Sequence, residues 1–310
     1  MTEAPRLSIA EIRAADAEME ARAAQCADRL KAGTQSPGAT AVAGYNGHLF
    51  IGLGTNRWES HYEGRVDIDA TWFEAWATLL EGRQAEARRR GVQLWNLVVP
   101  EKQVVLPEQR WAEPPSPDRR PFQQLLDRVA PDHRMHYARD ALAAAKPLGP
   151  VYHVRNSHWC AAGCLAVTAD LTRLAGGAVD IEAQRFAYQR GPTPHDLPPH
   201  FLEEPREVEH GYLVPNGPYL FHHQTLPETG RHQGSRFCIQ NPDAPDARRV
   251  AIFGDSFSYH AGLAAALSAL FVEVAFLWSK SVIWEFADAQ RADLVIWESA
   301  ERFMVTLPKA

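Results

Sequence analysis

The chain has 310 residues, 45% of them hydrophobic, which is enough apolar material for a full core in one α/β domain or a domain with a lobe. A formal net charge of −6, with one short basic cluster at Arg88-Arg89-Arg90, argues against a nucleic-acid partner. The charged N-terminal stretch has no apolar run long enough for a signal-peptide core or a membrane span, so the sequence as written implies a cytoplasmic protein with no direct membrane span.

In chain order, residues 1–32 show the pattern of a polar amphipathic helix, ended by the breaker stretch AGTQSPGAT. This predicts a helical arm over 1–39 ahead of a domain spanning 40–310. AVAGYNGHLFIGL predicts two strands turning at Asn46-Gly47. Residues 69–90 suit a helix with Trp72, Trp76, Leu79 and Leu80 on its buried side, and GVQLWNLVVP a strand covered on both faces. The proline-rich EPPSPDRRP (113–121) is expected to be a loop. Helical stretches follow at 121–129, at 137–146 and from Trp159 onward. From about 180 to 248 the pattern loosens into short β-like pieces, as expected of an insertion beside the main sheet.

The last third alternates regularly: strand 249–253, helix 258–271, strand 272–277, helix 281–290, strand 293–297 and a short final helix. Such alternation implies right-handed β-α-β units and a parallel sheet.

Cys26, Cys160, Cys164 and Cys238 are too few for a disulfide framework in a chain of this length and are expected as reduced, buried thiols. Cys160 and Cys164 stand one helical turn apart near His158, but no short spacing supplies further ligands, so no metal is expected. His222, His223 and His232 lie in a loop-rich stretch and are expected at the surface.

Gly254-Asp255-Ser256-Phe257 falls where the strand at 249–253 gives way to a helix. In a doubly wound sheet, reacting groups collect at such carboxyl ends of strands. Ser256 there is either a nucleophile or a helix cap. A nucleophilic serine needs a histidine as base and a third group to orient the ring. The stretch Asn156-Ser157-His158-Trp159 offers both, with Asn156 two residues ahead of His158.

These blocks resemble the SGNH hydrolase-like domain of the alginate O-acetyltransferases of the AlgX and AlgJ type. That family has a late Gly-Asp-Ser-Phe block and an earlier Asp-x-His-Trp block, the latter matched here with Asn156 for the aspartate. GYNGHLF, Pro100-Glu101-Lys102 and ADLVIWESAERFM match further family stretches in the same order, from about residue 40 to the end. The resemblance implies a flavodoxin-like three-layer α/β/α fold around a parallel sheet, with a circularly permuted motif order because the histidine block precedes the serine block.

It further implies Ser256 as nucleophile, His158 as base and Asn156 as the residue orienting His158. The reaction would be transfer of an acyl group, acetyl above all, through an acyl-serine to a carbohydrate or similar hydroxyl acceptor, with no cofactor. The donor would be acetyl-CoA or a membrane-bound O-acyltransferase. Family members act outside the cytoplasm, and a truncated gene start would make this chain periplasmic. Two alternatives stay open: a carbohydrate esterase, and a carbohydrate-binding pseudoenzyme.

Besides the missing export signal, the chain departs from the family in two places. Asparagine can orient a histidine but brings no charge, and an Asp-to-Asn exchange in a serine triad can cost on the order of 10⁴ in kcat. The chain is then a slow enzyme, one in which another carboxylate substitutes, or a non-catalytic relative. The stretches WSKSV (278–282) and ESAER (298–302) also lack the Gly and Asn that usually complete an SGNH oxyanion site, leaving Ser279, Ser281 and Arg302 as polar replacements. Tyr259 and Trp159 flank the site as candidate platforms for a sugar ring.

Overall fold

The computed structural model describes residues 4–26, 30–113, 116, 119–177, 179–192, 196–201, 209–224 and 234–308. Arg6–Leu7 (β1) leads into Ile9–Cys26 (α1), where Ser8 and Glu11 exchange hydrogen bonds as a capping box. Ala41–Ala43 (β2) and Leu49–Ile51 (β3) form the expected hairpin. At its turn Asn46 and Gly47 take φ of 51° and 74°, the left-handed pair that a two-residue turn needs. Trp58–Tyr62 (α2) precedes Ala70–Arg90 (α3), which starts on an Asp69 cap and stops at Gly91, φ 70°.

Gln93–Val99 (β4), Lys102–Val105 (α4), Pro121–Leu126 (α5), Met135–Tyr137 (β5), Arg139–Ala145 (α6) and Ala161–Leu174 (α7) follow. The 180–248 segment supplies Phe186–Pro192 (β6), Glu209–Leu213 (β7), Tyr219–Gln224 (β8) and Ser235–Gln240 (β9). The last third holds Asp246–Gly254 (β10), Ser256–Tyr259 (α8), Leu263–Ser268 (α9), Phe271–Trp278 (β11), Trp284–Ala289 (α10) and Leu294–Ala300 (β12). Parts of the expected loop at 113–121 (residues 114, 115, 117 and 118) lie outside the described residues, as does His232.

The main sheet runs β5-β4-β12-β10-β11-β9-β8. The strands from β5 to β11 are mutually parallel, and β9 and β8 add antiparallel at one edge. A smaller antiparallel sheet joins β1, β6 and β7. Alternation along each central strand divides the core. Val250, Ile252, Leu294 and Ile296 face one layer with Leu142, Leu165 and Leu267, whereas Ala251, Phe253, Val295 and Trp297 face Trp76, Leu80 and Phe122 on the other. Helices thus cover both faces, as a parallel sheet requires. Helix α1 belongs to the first layer, with Ile12 and Met19 buried in it and Asp16 accepting from the Ala162 N–H and the Tyr188 hydroxyl.

Beyond β10 the structure differs from the sequence expectation. The single helix expected over 258–271 is two short ones, broken at Gly262 with φ 92°. The break leaves the Ala261 carbonyl free to accept from the Trp159 indole N–H at 2.7 Å, which ties the serine turn to the histidine turn. Among the described residues no helix is long and apolar enough to cross a membrane.

Candidate active site

The histidine is presented by a turn in which the chain doubles back between Val151 and Cys160. Tyr152 bridges Trp159, the His153 N–H reaches the His158 carbonyl at 3.1 Å, and the Cys160 N–H reaches the Val151 carbonyl at 3.2 Å. Other elements clamp the tip of this turn. The Leu49 N–H of the β2–β3 hairpin donates to the Val154 carbonyl at 2.9 Å. Lys102 Nζ donates to the carbonyls of Leu49, His153 and Val154 at 2.8, 2.6 and 2.8 Å. From α1, Glu20 accepts from the Val154 N–H at 2.6 Å and pairs with His153 Nδ1. GYNGHLF and Pro100-Glu101-Lys102, visible only as motifs in the sequence, therefore both act as scaffolding for His158. Lys102 is completely buried, and that burial pulls its pKa down to about 7.

The serine turn is built at the carboxyl end of β10. Asp255 caps α8 by accepting from the Phe257 N–H at 2.9 Å, and its other oxygen accepts from the Ala300 N–H at 2.9 Å. The Asp255 N–H donates to Glu298 at 3.0 Å. Gly254 is needed for close approach, because a Cβ there would stand 2.5 Å from a Glu298 carboxylate oxygen and 2.7 Å from Ser258 Oγ.

These two turns bring the candidate residues together. His158 Nε2 lies 2.7 Å from Ser256 Oγ, and His158 Nδ1 lies 2.7 Å from Asn156 Oδ1. The same Asn156 oxygen accepts the His158 backbone N–H at 3.0 Å. A backbone N–H can only donate, so the atom facing the ring is the amide oxygen and Nδ1 carries the proton. Nε2 is left with its lone pair aimed at the serine hydroxyl. Burial pushes the His158 pKa down to about 4, against the opposing pull of Asp196, so the ring is neutral at physiological pH.

Asp196 is a neighbour that sequence reasoning missed. Its Oδ1 accepts from the Ser157 N–H at 2.9 Å, its Oδ2 accepts from the Ser157 hydroxyl, and Oδ2 lies 3.6 Å from His158 Nδ1. It comes from the irregular 180–248 segment, where no periodicity or spacing marks it.

Two cavities meet at His158. The larger, about 670 Å³, is lined by His158, Tyr212, Tyr219, Phe237 and Tyr259 among others. The smaller, about 260 Å³, is lined by Ser256, Ser279, Lys280, Ser299 and Arg302, while His158 and Asp196 line both. Tyr259 is half-buried with Phe237 and Trp278 at 5.7 and 5.4 Å. Trp159 borders the larger cavity but is only 1% exposed, its ring edge-on to Phe257 at 4.8 Å. Arg302 donates to Glu101 at 2.7 Å while lining the smaller cavity. The Ser279 hydroxyl is engaged within its own turn, donating to the Ser281 carbonyl at 2.8 Å and accepting from the Ser281 N–H at 3.1 Å. His222 is exposed, as expected, yet it stands at the mouth of the larger cavity, 5.0 Å from Tyr219. Cys160, Cys164 and Cys238 are buried free thiols, with Cys160 Sγ donating to the Pro150 carbonyl at 3.0 Å. The side chains of Cys26 and His223 lie outside the described residues.

No protein-family model matches the chain, and no curated protein matches it in sequence. Solved structures do. Bacillus cereus PatB1 is similar with a TM-score of 0.56 at 13% identity, covering 77% of this chain and 92% of that one. A second PatB1 structure, with a sulfonyl adduct, gives 0.54 at 12% identity over 78% and 95% of the two chains. The O-acetyltransferase domain of Pseudomonas putida AlgJ gives 0.53 at 17% identity over 87% and 94%. The chain has the fold of the AlgJ domain and of PatB1. In this AlgJ-like chain the histidine turn precedes the serine turn in sequence, and the two meet where β10 ends.

Proposed function

We propose that the chain is a serine O-acyltransferase that carries an acyl group, acetyl above all, to a hydroxyl of a carbohydrate or similar acceptor. The 2.7 Å approach of His158 Nε2 to Ser256 Oγ carries this reading, because it pairs a nucleophile with a neutral base held in the productive tautomer. Ser256 Oγ attacks the acyl carbonyl carbon as Nε2 takes the hydroxyl proton. Positive charge from Arg302, which lines the smaller cavity, favours the oxyanion. The donor's C–O or C–S bond then breaks, the leaving group takes the proton from His158, and acyl-Ser256 remains. In the second half the acceptor hydroxyl gives its proton to Nε2 and attacks the ester carbon. The Ser256–acyl bond breaks and the serine regains its proton.

The two cavities favour transfer over a single-substrate reaction, one accommodating donor groups and the aromatic-lined one a sugar ring. The AlgJ domain is an O-acetyltransferase domain of the same fold, which adds to the reading. The order of histidine before serine fits a circular permutation of the usual SGNH chain. One observation favours a rival: Asn156 brings no charge to the imidazolium that forms in the reaction, as would suit a binding protein that has lost its chemistry.

Hydrolysis of 4-nitrophenyl acetate by the native chain, Ser256→Ala and His158→Ala separates the two. Catalysis predicts that both variants fall to the background rate, whereas equal rates in all three leave only the binding reading. Adding oligosaccharide acceptors then divides the enzyme class, since a transferase yields acetylated sugar and an esterase only acetate.

A further inference from the structure

We infer that Asp196 is a positioning residue for the proposed reaction, a carboxylate from a distant segment supplying His158 with the negative charge that Asn156 lacks. The inference rests on the proposed catalytic reading, and its geometry is specific. Nδ1 of His158 makes its hydrogen bond with Asn156 Oδ1 at 2.7 Å, while Asp196 Oδ2 lies 3.6 Å from the same nitrogen. That separation is beyond hydrogen-bond length, so Asp196 acts through its charge and Asn156 through direction. The carboxylate is aimed by Ser157, which donates both its backbone N–H and its hydroxyl to it. One residue in the histidine block thus captures the acid while the residues on either side orient and carry the base. The function of a triad aspartate is divided between two side chains.

The other charged groups facing His158 do not replace this one. Arg302 and His153 disfavour a proton on the ring, and Asp255 favours one less strongly than Asp196. Asp255 is also committed, its two oxygens accepting from the Phe257 and Ala300 N–H groups. Asp196, with its side chain about a third exposed and lining both cavities, is the nearer acid and the stronger opponent of the burial that disfavours imidazolium.

The test compares the full-length native chain with Asp196→Asn, Asn156→Asp and the double variant. Asp196→Asn keeps the shape and an acceptor for Ser157 but removes the charge. Two readouts are taken: the titration of the His158 ring by NMR, assigned with His158→Gln, and the pH profile for hydrolysis of 4-nitrophenyl acetate. Asp196→Asn is expected to lower the His158 pKa by roughly one unit and kcat by about tenfold or more, with KM little changed. Asn156→Asp added to Asp196→Asn is expected to restore both, because it places a carboxylate on the same nitrogen.

An unchanged titration in Asp196→Asn would overturn the inference. So would a loss of kcat that Asn156→Asp does not rescue, the mark of a residue that only braces the Ser157 turn. The two readings fail differently. Absence of Ser256-dependent turnover in the native chain would end the catalytic reading, while the His158 titration would still decide whether Asp196 charges the ring.

Discussion

His158 Nε2 and Ser256 Oγ stand 2.7 Å apart although 98 positions separate them in the chain. The contact exists because two independent turns are each fixed by the scaffold. One is tied to α1, the β2–β3 hairpin and Lys102, and the other to the end of β10 and to β12 through Asp255 and Glu298. Neither turn is held by its own sequence alone.

The buried ring sets the pH dependence. His158 has a pKa pushed down to about 4 by burial, so Nε2 is a free base through the neutral range and is lost as pH falls through that value. With 4-nitrophenyl acetate as substrate, kcat/KM should therefore be flat on the neutral side and fall about tenfold for each pH unit on the acid side of that pKa. The same depression has a stability consequence of defined sign. Between about 4 and the ordinary value of 6.5 the unfolded chain binds the proton and the folded ring does not, so this group weakens the fold as pH falls through that window. A kinetic limb near 6.5 would mean that the ring is solvated.

Lys102 ties the histidine turn to the β2–β3 hairpin, donating to the His153 and Val154 carbonyls of the turn and to the Leu49 carbonyl of β3, all within 2.8 Å. Lys102→Met fills the space but leaves the buried Leu49 and His153 carbonyls without this donor, while the Val154 carbonyl keeps the Leu49 N–H, at about 1–3 kcal/mol for each unsatisfied group. We expect thermal unfolding to show a loss of roughly 2 kcal/mol or more, with kcat falling alongside as the His158 turn relaxes. An unchanged midpoint would show that the carbonyls find other donors.

Tyr259 tests the aromatic cavity. It lines the larger cavity and packs against Phe237 and Trp278. Replacing it by alanine should raise the acceptor KM about tenfold, the value of one stacking contact, with a smaller effect on kcat. An unchanged KM for every accepted sugar would place the acceptor elsewhere.

Where the sequence was legible, the reason is local. The continuous apolar runs of β4, β10, β11 and β12 betray strands covered on both faces, and Asn46-Gly47 betrays a hairpin, because in each case the pattern and the physics lie within a few residues. The motifs named Ser256, His158 and Asn156 as one candidate set, and the fold brings His158 within hydrogen-bond distance of the other two. What stayed hidden depends on partners far away in the chain. The break at Gly262 goes with a bond from the Trp159 indole to Ala261, and strand β5 has only three residues, too few for a period. Asp196 has no local pattern at all, and its meaning appears only when Ser157 reaches it.

Covalent labelling of Ser256 tests the central claim most directly. The native chain, Ser256→Ala and His158→Ala are each treated with an arylsulfonyl fluoride, the adduct is followed by intact mass, and its position is mapped by peptide sequencing. A serine activated by His158 predicts one sulfonyl group on the peptide carrying Ser256, none on Ser256→Ala, and a rate reduced by at least about 100-fold in His158→Ala. Labelling elsewhere in the chain, or at the same rate with and without His158, would contradict it.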